Sequence, residues 1–406
     1  MKTRSKVIAY ITAQAPYGRG ETFIIDEMIT LKELGVNLLI FPRNPSKEIF
    51  HLEGQVLLDN VVWLPLINLK MVIHFFISLL TNRRLWKVII SILRHSNNWR
   101  NLIKNLVVLP KGVYIAAFSK KNCITHIHAH WSTTTSTIGY IVSQLSDIPW
   151  SFTAHSGMIL WNNMIKEKVK TASFVRVISK NRYKDLIKIA GPEFRDKVFV
   201  LHMGTKIPPR DIIISKIERP SCNIIGCIGN LNKIKGHRYL IEACSILKAK
   251  GFKFKCLIIG EGEERHNLEK LINNLKLHNE IELVGSMPHS EIITILQEGK
   301  VDLLVLPSIT LPSENRAEGI PLILIEAMAN GIPVVSTETG SIPELIAERS
   351  GILVPEKNSE ALAEGIIRVL SDGNLRKKLI IGGYNRVNAE FNMKIMGQEL
   401  IKYLYG

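Results

Sequence analysis

The chain has 406 residues, 46% of them hydrophobic and 22% charged. That length and apolar content supply a full core and divide most naturally into two domains, which excludes disordered, collagenous and small disulfide-built classes. The formal charge of +16 is lopsided: residues 1–211 carry 29 Lys and Arg against 13 Asp and Glu, whereas residues 212–406 carry 23 of each. An anionic partner is therefore expected for the first half alone. Five cysteines, odd in number and without a CxxC pair, read as reduced core residues of a cytoplasmic protein.

Taken in chain order, Val7 to Ala13 is a β-branched, apolar run, read as a first strand rather than as a signal peptide. It ends in a loop with Gly18 and Gly20, and an amphipathic stretch closed by Gly35 follows. Strand, glycine-bearing loop and helix open a Rossmann-like half. The spacing is not GxGxxG; Gly20 either lets backbone approach a ligand or simply makes the turn.

Residues 61–119 hold no acidic side chain between Val61 and Phe118. Trp63, Trp86 and Trp99 interleave there with Arg83, Arg84, Lys87, Arg94, Arg100 and Lys104. Basic, aromatic, amphipathic helices settle in a membrane interface through apolar burial and attraction to anionic lipid. This is the preferred reading; the others are helices packed on the domain's own sheet, or a span from Val61 to Leu80, which Pro65, Asn68, Lys70 and His74 interrupt. No nucleic-acid motif accompanies the basic charge.

His126, His128 and His130 alternate, so on a strand they share a face. A zinc site lacks nearby Cys, Asp or Glu to complete it, and no metal is expected. His130 is placed near a ligand cleft at the strand's carboxyl end, with the other two buried or paired. The strand before His155 ends the same way, making His155 either a polar contact to substrate or a satisfied structural histidine. Prolines between Lys206 and Pro220 mark the boundary. The expected division is an N-terminal, acceptor-binding domain (1–208), a linker (209–221), a C-terminal domain (222–388) and a last helix (389–406) packing back on the first domain.

In the second half, strands are expected to end at Gly229, Gly260, Gly285 and Ser308. The most informative stretch follows, with Glu318 and Glu326 separated by seven residues and Gly319 and Pro321 after the first. Pro321 suits the first turn of a helix, which puts Glu318 at the helix mouth and Glu326 two turns in, with Asn330-Gly331 ending it. A helix mouth offers unpaired N–H groups and partial positive charge to an anion. Carboxylates on either side suit a phosphate flanked by hydroxyl-rich groups, the layout of a nucleotide sugar.

With these motifs (ETFIIDE, HIHAHW, SFTAHSG, GNLNKIKG, IIGEGEE, VGSMP, EGIPLILIE) the chain resembles, over nearly its whole length, the retaining family 4 glycosyltransferases (group 1), and among them the enzymes of bacterial exopolysaccharide, lipopolysaccharide and capsule synthesis. The resemblance implies an α/β, GT-B fold: two Rossmann-like doubly wound domains facing across a cleft. It implies that Glu326 holds the ribose, that Glu318 faces the donor sugar, and that backbone N–H groups of Gly319 and Ile320 meet the diphosphate. Lys235 would neutralise the leaving diphosphate, with Lys233 and Asn230 beside it; His155 would touch the sugar or diphosphate, and Gly285 to Met287 would frame the base. Glu318, His155 and Lys235 are the expected catalytic residues, and Gly20 a further donor contact. The partners implied are a nucleotide-diphosphate sugar, with no other cofactor, a lipid-linked saccharide acceptor and the anionic inner face of the plasma membrane. An inactive scaffold of the same fold and a nucleotide-sugar epimerase are the alternatives.

Three positions depart from the family pattern. Asn230 and Asn232 stand where many relatives have an arginine, leaving Lys233, Arg238 or Arg316 to substitute. Met158 stands where relatives often have Asp, and Ser341 replaces a second glycine.

Overall fold

The computed structural model describes residues 6–18, 20–46, 48–312, 317–347 and 349–406. The chain divides into two compact units, Met1–His202 with Lys394–Gly406, and Met203–Met393.

Unit 1 contains strands β1 (Val7–Thr12), β2 (Asn37–Pro42), β3 (His126–His130), β4 (Trp150–Ala154), β5 (Phe174–Val177) and β6 (Val198–Val200). They form one sheet in the order β2-β1-β3-β4-β5-β6, every pairing parallel. Strands β3, β4 and β5 are buried throughout, so the polar residues of β3 must find partners inside. His126 Nε2 lies 2.7 Å and His128 Nδ1 2.8 Å from Ser151 Oγ on β4, and His128 Nε2 lies 2.9 Å from Thr153 Oγ1. Hydroxyls satisfy these rings, and among the described residues no cluster of His, Cys, Asp or Glu could hold a metal.

The helices of unit 1 are α1 (Thr22–Glu33), α2 (Leu69–Thr81), α3 (Arg83–His95), α4 (Trp99–Val107), α5 (Leu109–Lys121), α6 (Thr134–Ser146), α7 (Ile165–Thr171) and α8 (Lys180–Ala190). Asparagines cut the basic stretch into pieces. The side chains of Asn68, Asn82 and Asn98 accept from the N–H groups of Met71, Arg84 and Asn101 at 2.8, 3.0 and 2.9 Å, and so begin α2, α3 and α4. None of the three reaches bilayer length, and among the described residues no single helix is long and apolar enough to cross a membrane. The bent pair α4–α5 meets that length together, but α5 is a core helix packed on α6, with Val113, Ile115 and Ala116 buried. The C-terminal helix Met393–Tyr405 places Leu400 and Leu404 in the core formed by Ile24, Met28 and Leu31 of α1.

Unit 2 contains β7 (Ile224–Ile228), β8 (Lys255–Ile259), β9 (Ile281–Gly285), β10 (Leu303–Leu306), β11 (Val334–Thr337) and β12 (Ile352–Val354), in the parallel order β12-β11-β10-β7-β8-β9. The linker expected at 209–221 is instead largely helical. Helix α9 (Arg210–Glu218) follows Pro209 and buries Ile213 and Lys216, whose Nζ donates to the carbonyls of Leu296 and Asn330. The prolines that mark the boundary include Pro209, whose fixed φ is compatible with a helix start. Helices α10 (His237–Ala249), α11 (Arg265–Asn274), α12 (His289–Glu298) and α13 (Leu322–Ala329) flank the strands that carry the site.

Burial holds His126 in unit 1 and His237 in unit 2 at a pKa of about 4, with Lys6 and Lys235 adding to the effect. Between that value and the unfolded value of about 6.5 the unfolded chain binds more protons, so stability falls as pH falls. Urea midpoints of both units should therefore drop between pH 7 and pH 5. Midpoints that hold steady over that window would contradict the neutral burial of these rings.

Candidate active site

Ligands of open parallel sheets collect beyond the carboxyl ends of strands where strand order reverses. In unit 2 that point lies between β7 and β10. After β7 the chain makes a 3-10 turn, Lys233–Lys235, closed by Gly236 at φ +66°. A Cβ on Gly236 would sit 2.0 Å from the Pro307 carbonyl oxygen, so only glycine permits this approach of the turn to the end of β10. The turn delivers Lys235 Nζ to 2.9 Å from Glu318 Oε2, and Ser308 Oγ, just past β10, donates to the same oxygen at 3.3 Å. Glu326 on α13 is only 7% exposed. Its Oε1 lies 2.8 Å from Nε2 of His289, the first residue of α12.

The helix mouth lies one residue later than expected. Pro321 is extended (φ −70°, ψ 123°) and precedes α13 instead of forming its first turn. Gly319 and Ile320 therefore belong to the segment leading in. The N–H groups at the helix start are those of Leu322 and Ile323, which have no acceptor among the described residues.

Ser341 is accommodated for a backbone reason. The left-handed position is Gly340 (φ +56°), where a Cβ would lie 1.9 Å from the Glu318 carbonyl oxygen, whereas Ser341 has φ −104° and donates its N–H to that same oxygen at 3.1 Å. Gly340→Ala should cost about 1–2 kcal/mol from handedness alone, and more from the clash. Ser341→Gly should change stability by less than about 1 kcal/mol. Thermal melts of the two variants check this contrast, and equal melting temperatures would contradict it.

Of the other expected residues, Gly285 ends β9 at φ +95° and accepts from the Gly260 N–H at 2.8 Å, and Met287 packs against the core of unit 2. Asn230 is exposed, and the Oδ1 of Asn232 is buried without a partner. Arg238 is committed to Glu242 at 3.0 Å, which leaves exposed Lys233, without an ion pair among the described residues, as the cation beside Lys235. Arg316 lies outside the described residues.

In unit 1 the strand order reverses at β1 and β3. A cavity of about 640 Å³ opens there beyond β1, β3 and β4, lined by Gln14, Gly20, Glu21, Arg43, Trp131 and Met158 among others. Trp131 adopts φ +74°, a strained conformation for a bulky side chain and one that clusters at functional sites. Glu21 holds it: the carboxylate accepts from Trp131 Nε1 and from the N–H groups of Ala13, Gln14 and Ala15. Gly20, expected as a donor contact, lines this cavity with open space on its Cβ side. Met158, in place of aspartate, makes part of an apolar wall.

His155 does not reach the cavity. It is 2% exposed, its Nε2 lies 2.8 Å from His130 Nδ1, and its ring packs on Phe23 and Trp131 with centroids 5.2 and 4.7 Å away. Burial, then the neighbouring His130 and Arg176, push its pKa well below the ordinary range. Of the two expected readings of His155, these contacts are those of a buried histidine packed against Trp131. Behind it lies a buried charge centre. Glu27 on α1 binds Arg176 on β5 and His130 on β3, and accepts from Tyr10. Burial favours a neutral Glu27 carboxyl, but Arg176, His130 and Tyr10 together outweigh it and hold the group well below the usual range. Glu21, Glu27, Arg176 and His289 were not singled out in the sequence, and Ser308 was read only as a strand end. Arg176, a charge inside the otherwise apolar strand FVRV, was the legible signal.

Residues 210–386 match the profile of the group 1 glycosyl transferases. Over 215 residues the chain is 35% identical to the putative colanic acid biosynthesis glycosyltransferase WcaL of Escherichia coli K12, covering 52% of this chain and 51% of the relative. Over 211 residues it is 40% identical to the amylovoran biosynthesis glycosyltransferase AmsK of Erwinia amylovora, with 52% and 51% covered. The match thus spans about half the length of these curated relatives. The crystal structure of Anabaena HepE in complex with UDP superposes with a TM-score of 0.70 at 17% identity, covering 98% of this chain and 99% of that one. The chain has the GT-B fold, and its residues 210–386 match the group 1 glycosyl transferase family.

Proposed function

We propose that the protein is a retaining glycosyltransferase of surface polysaccharide synthesis, moving a sugar from a nucleoside-diphosphate donor on unit 2 to a lipid-linked saccharide on unit 1 at the cytoplasmic membrane face. The observation that carries this is the Lys235–Glu318 pair at the reversal of strand order, with Glu326 buried one turn into the adjacent helix. The names of WcaL and AmsK support the polysaccharide context, and the UDP of the HepE complex supports a nucleoside diphosphate.

In the reaction the bond between the sugar anomeric carbon and the diphosphate oxygen breaks, and one to an acceptor hydroxyl forms on the same face. The hydroxyl proton passes to the departing phosphate oxygen. The demand on the protein is charge: Lys235, Lys233 and the first-turn N–H groups of α13 meet the growing negative charge of the diphosphate. Without ligand, Lys235 is spent on Glu318. An incoming diphosphate competes for the ammonium group and frees the Glu318 carboxylate for sugar hydroxyls, while Glu326 accepts from the ribose.

The test is to supply nucleotide sugars and bacterial membrane lipids to the purified protein and to follow nucleoside diphosphate release and product anomer. Acceptor-dependent release with the donor's anomeric configuration is expected. An inverted product, or an altered sugar nucleotide formed with no acceptor present, would count against the proposal.

A further inference from the structure

The helices α2, α3 and α4 leave an unusual surface. Each buries one side, through Met71, Leu85, Val88 and Ile92 among others, and exposes large apolar groups on the rest. Leu80 is 90% exposed, Trp99 67%, Phe76 59% and Trp86 52%. Of Arg83, Arg84, Lys87, Arg94, Arg100 and Lys104, only Arg84 has a carboxylate within reach among the described residues, an exposed pairing with Asp147. Exposed apolar and aromatic groups framed by unpaired cations match the interface of an anionic bilayer.

This surface runs into the unit 1 cavity. Ile103, Val107 and Trp161 belong to both: they line the cavity and are at the same time substantially exposed. Inside, Arg43 and Lys104 make no ion pair among the described residues, although the Glu21 carboxylate lies near enough to Arg43 to act on its charge. Arg43 Nη1 donates to Thr134 Oγ1 at 2.8 Å, and Lys104 stands on the cavity-facing part of α4. The backbone of Arg43 is fixed by Lys111, fully buried on α5, whose Nζ donates to the carbonyls of Pro42, Arg43 and Leu64 at 2.6, 2.9 and 2.7 Å. Glu21, the one acid lining the cavity among the described residues, is already met by four N–H donors. A volume of about 640 Å³ lies within the range of small-molecule sites, roughly 300–1,000 Å³.

We infer that α2–α4 dock on an anionic membrane and that the cavity receives the phosphorylated head of a membrane amphiphile, entering sideways past Ile103 and Trp161, with Arg43 and Lys104 binding its phosphate oxygens. The inference rests on the acceptor reading above, and names the chemistry by which that acceptor is held. Guanidinium and ammonium groups supply charge-assisted bonds to phosphate, and a partly desolvated site strengthens them.

The test uses the full chain with farnesyl diphosphate, farnesol and inorganic diphosphate as probes in calorimetry, and flotation on phosphatidylcholine vesicles with and without phosphatidylglycerol. Farnesyl diphosphate should bind at least about tenfold more tightly than either other probe, since head and tail are both recognised. Lys104→Gln and Arg43→Gln should each remove most of that advantage, and Arg43→Gln, which lies outside α2–α4, should leave flotation on anionic vesicles intact. Lys104 is exposed, so its variant reports even if Arg43→Gln fails to fold. Phe76→Ser with Leu80→Ser should lower flotation and spare binding of farnesyl diphosphate. Equal affinity for farnesol and farnesyl diphosphate, unchanged affinity in Lys104→Gln, or flotation indifferent to phosphatidylglycerol would overturn the inference. Diphosphate-dependent binding in a protein that releases no nucleoside diphosphate would support this site while overturning glycosyl transfer.

Discussion

Replacing Lys235 with Ala should lower turnover about 10²–10³-fold, the loss found when a preorganised group is removed from developing charge. The ammonium group is fixed by a turn that Gly236 makes possible, 2.9 Å from Glu318. Its removal leaves the leaving diphosphate facing Lys233 and the start of α13. In the proposed reaction Lys235 acts most strongly as charge develops, so the fall should appear mainly in kcat and less in donor KM. Lys235→Arg keeps charge but changes its geometry, and should recover only part of the rate. A full rate in Lys235→Ala would remove the catalytic role assigned to the pair. The companion variant His289→Ala should act differently: His289 is a positioning residue, 2.8 Å from Glu326, so its loss should raise donor KM and leave kcat close to the wild-type value.

Replacing Glu27 with Gln should destabilise unit 1 by about 3–5 kcal/mol, the cost of leaving a buried charge without its partner. Arg176 is 1% exposed and Glu27 2% exposed, and the pair ties α1 to β5. Arg176→Met should cost a similar amount, whereas the double variant Glu27→Gln/Arg176→Met should cost clearly less than the sum, because no uncompensated charge remains. All six tryptophans of the chain (Trp63, Trp86, Trp99, Trp131, Trp150 and Trp161) lie in unit 1, so tryptophan fluorescence against urea isolates its transition. Strict additivity of the two single variants would contradict a direct charge pairing. Loss of the centre should also loosen His130, and through His155 the strained Trp131 at the cavity.

The sequence made the parallel strands legible because buried parallel strands are continuous apolar runs, and it exposed the Glu318–Glu326 stretch because proline and glycine punctuate it. The strand expected to end at Gly285 does so, whereas the one expected to end at Ser308 stops at Leu306, two residues earlier. What escaped depends on partners distant in sequence. Glu27 and Arg176 are 149 positions apart, and only the fold makes each the reason for the other. Met158 and Ser341 looked like defects in a motif; one is cavity wall and the other occupies ordinary backbone beside the glycine that bears the positive φ. The three prolines between Lys206 and Pro220 read as open chain, whereas Pro209 only fixes the entry to α9. The place of His155 at a strand end left a substrate contact and a structural role both open, because position on a strand does not tell whether Phe23 and Trp131 pack against the ring.

The reading of unit 2 as a nucleotide-sugar grip is tested most directly by titrating the protein with UDP, GDP, ADP and their sugar conjugates in a calorimeter, for the wild type and for Glu326→Ala. One nucleoside diphosphate should bind the wild type, and Glu326→Ala should weaken it by at least about tenfold, as expected for the loss of a buried carboxylate's hydrogen bonds to ribose. Absence of binding by every nucleotide at millimolar concentration, or equal affinity in Glu326→Ala, would contradict it.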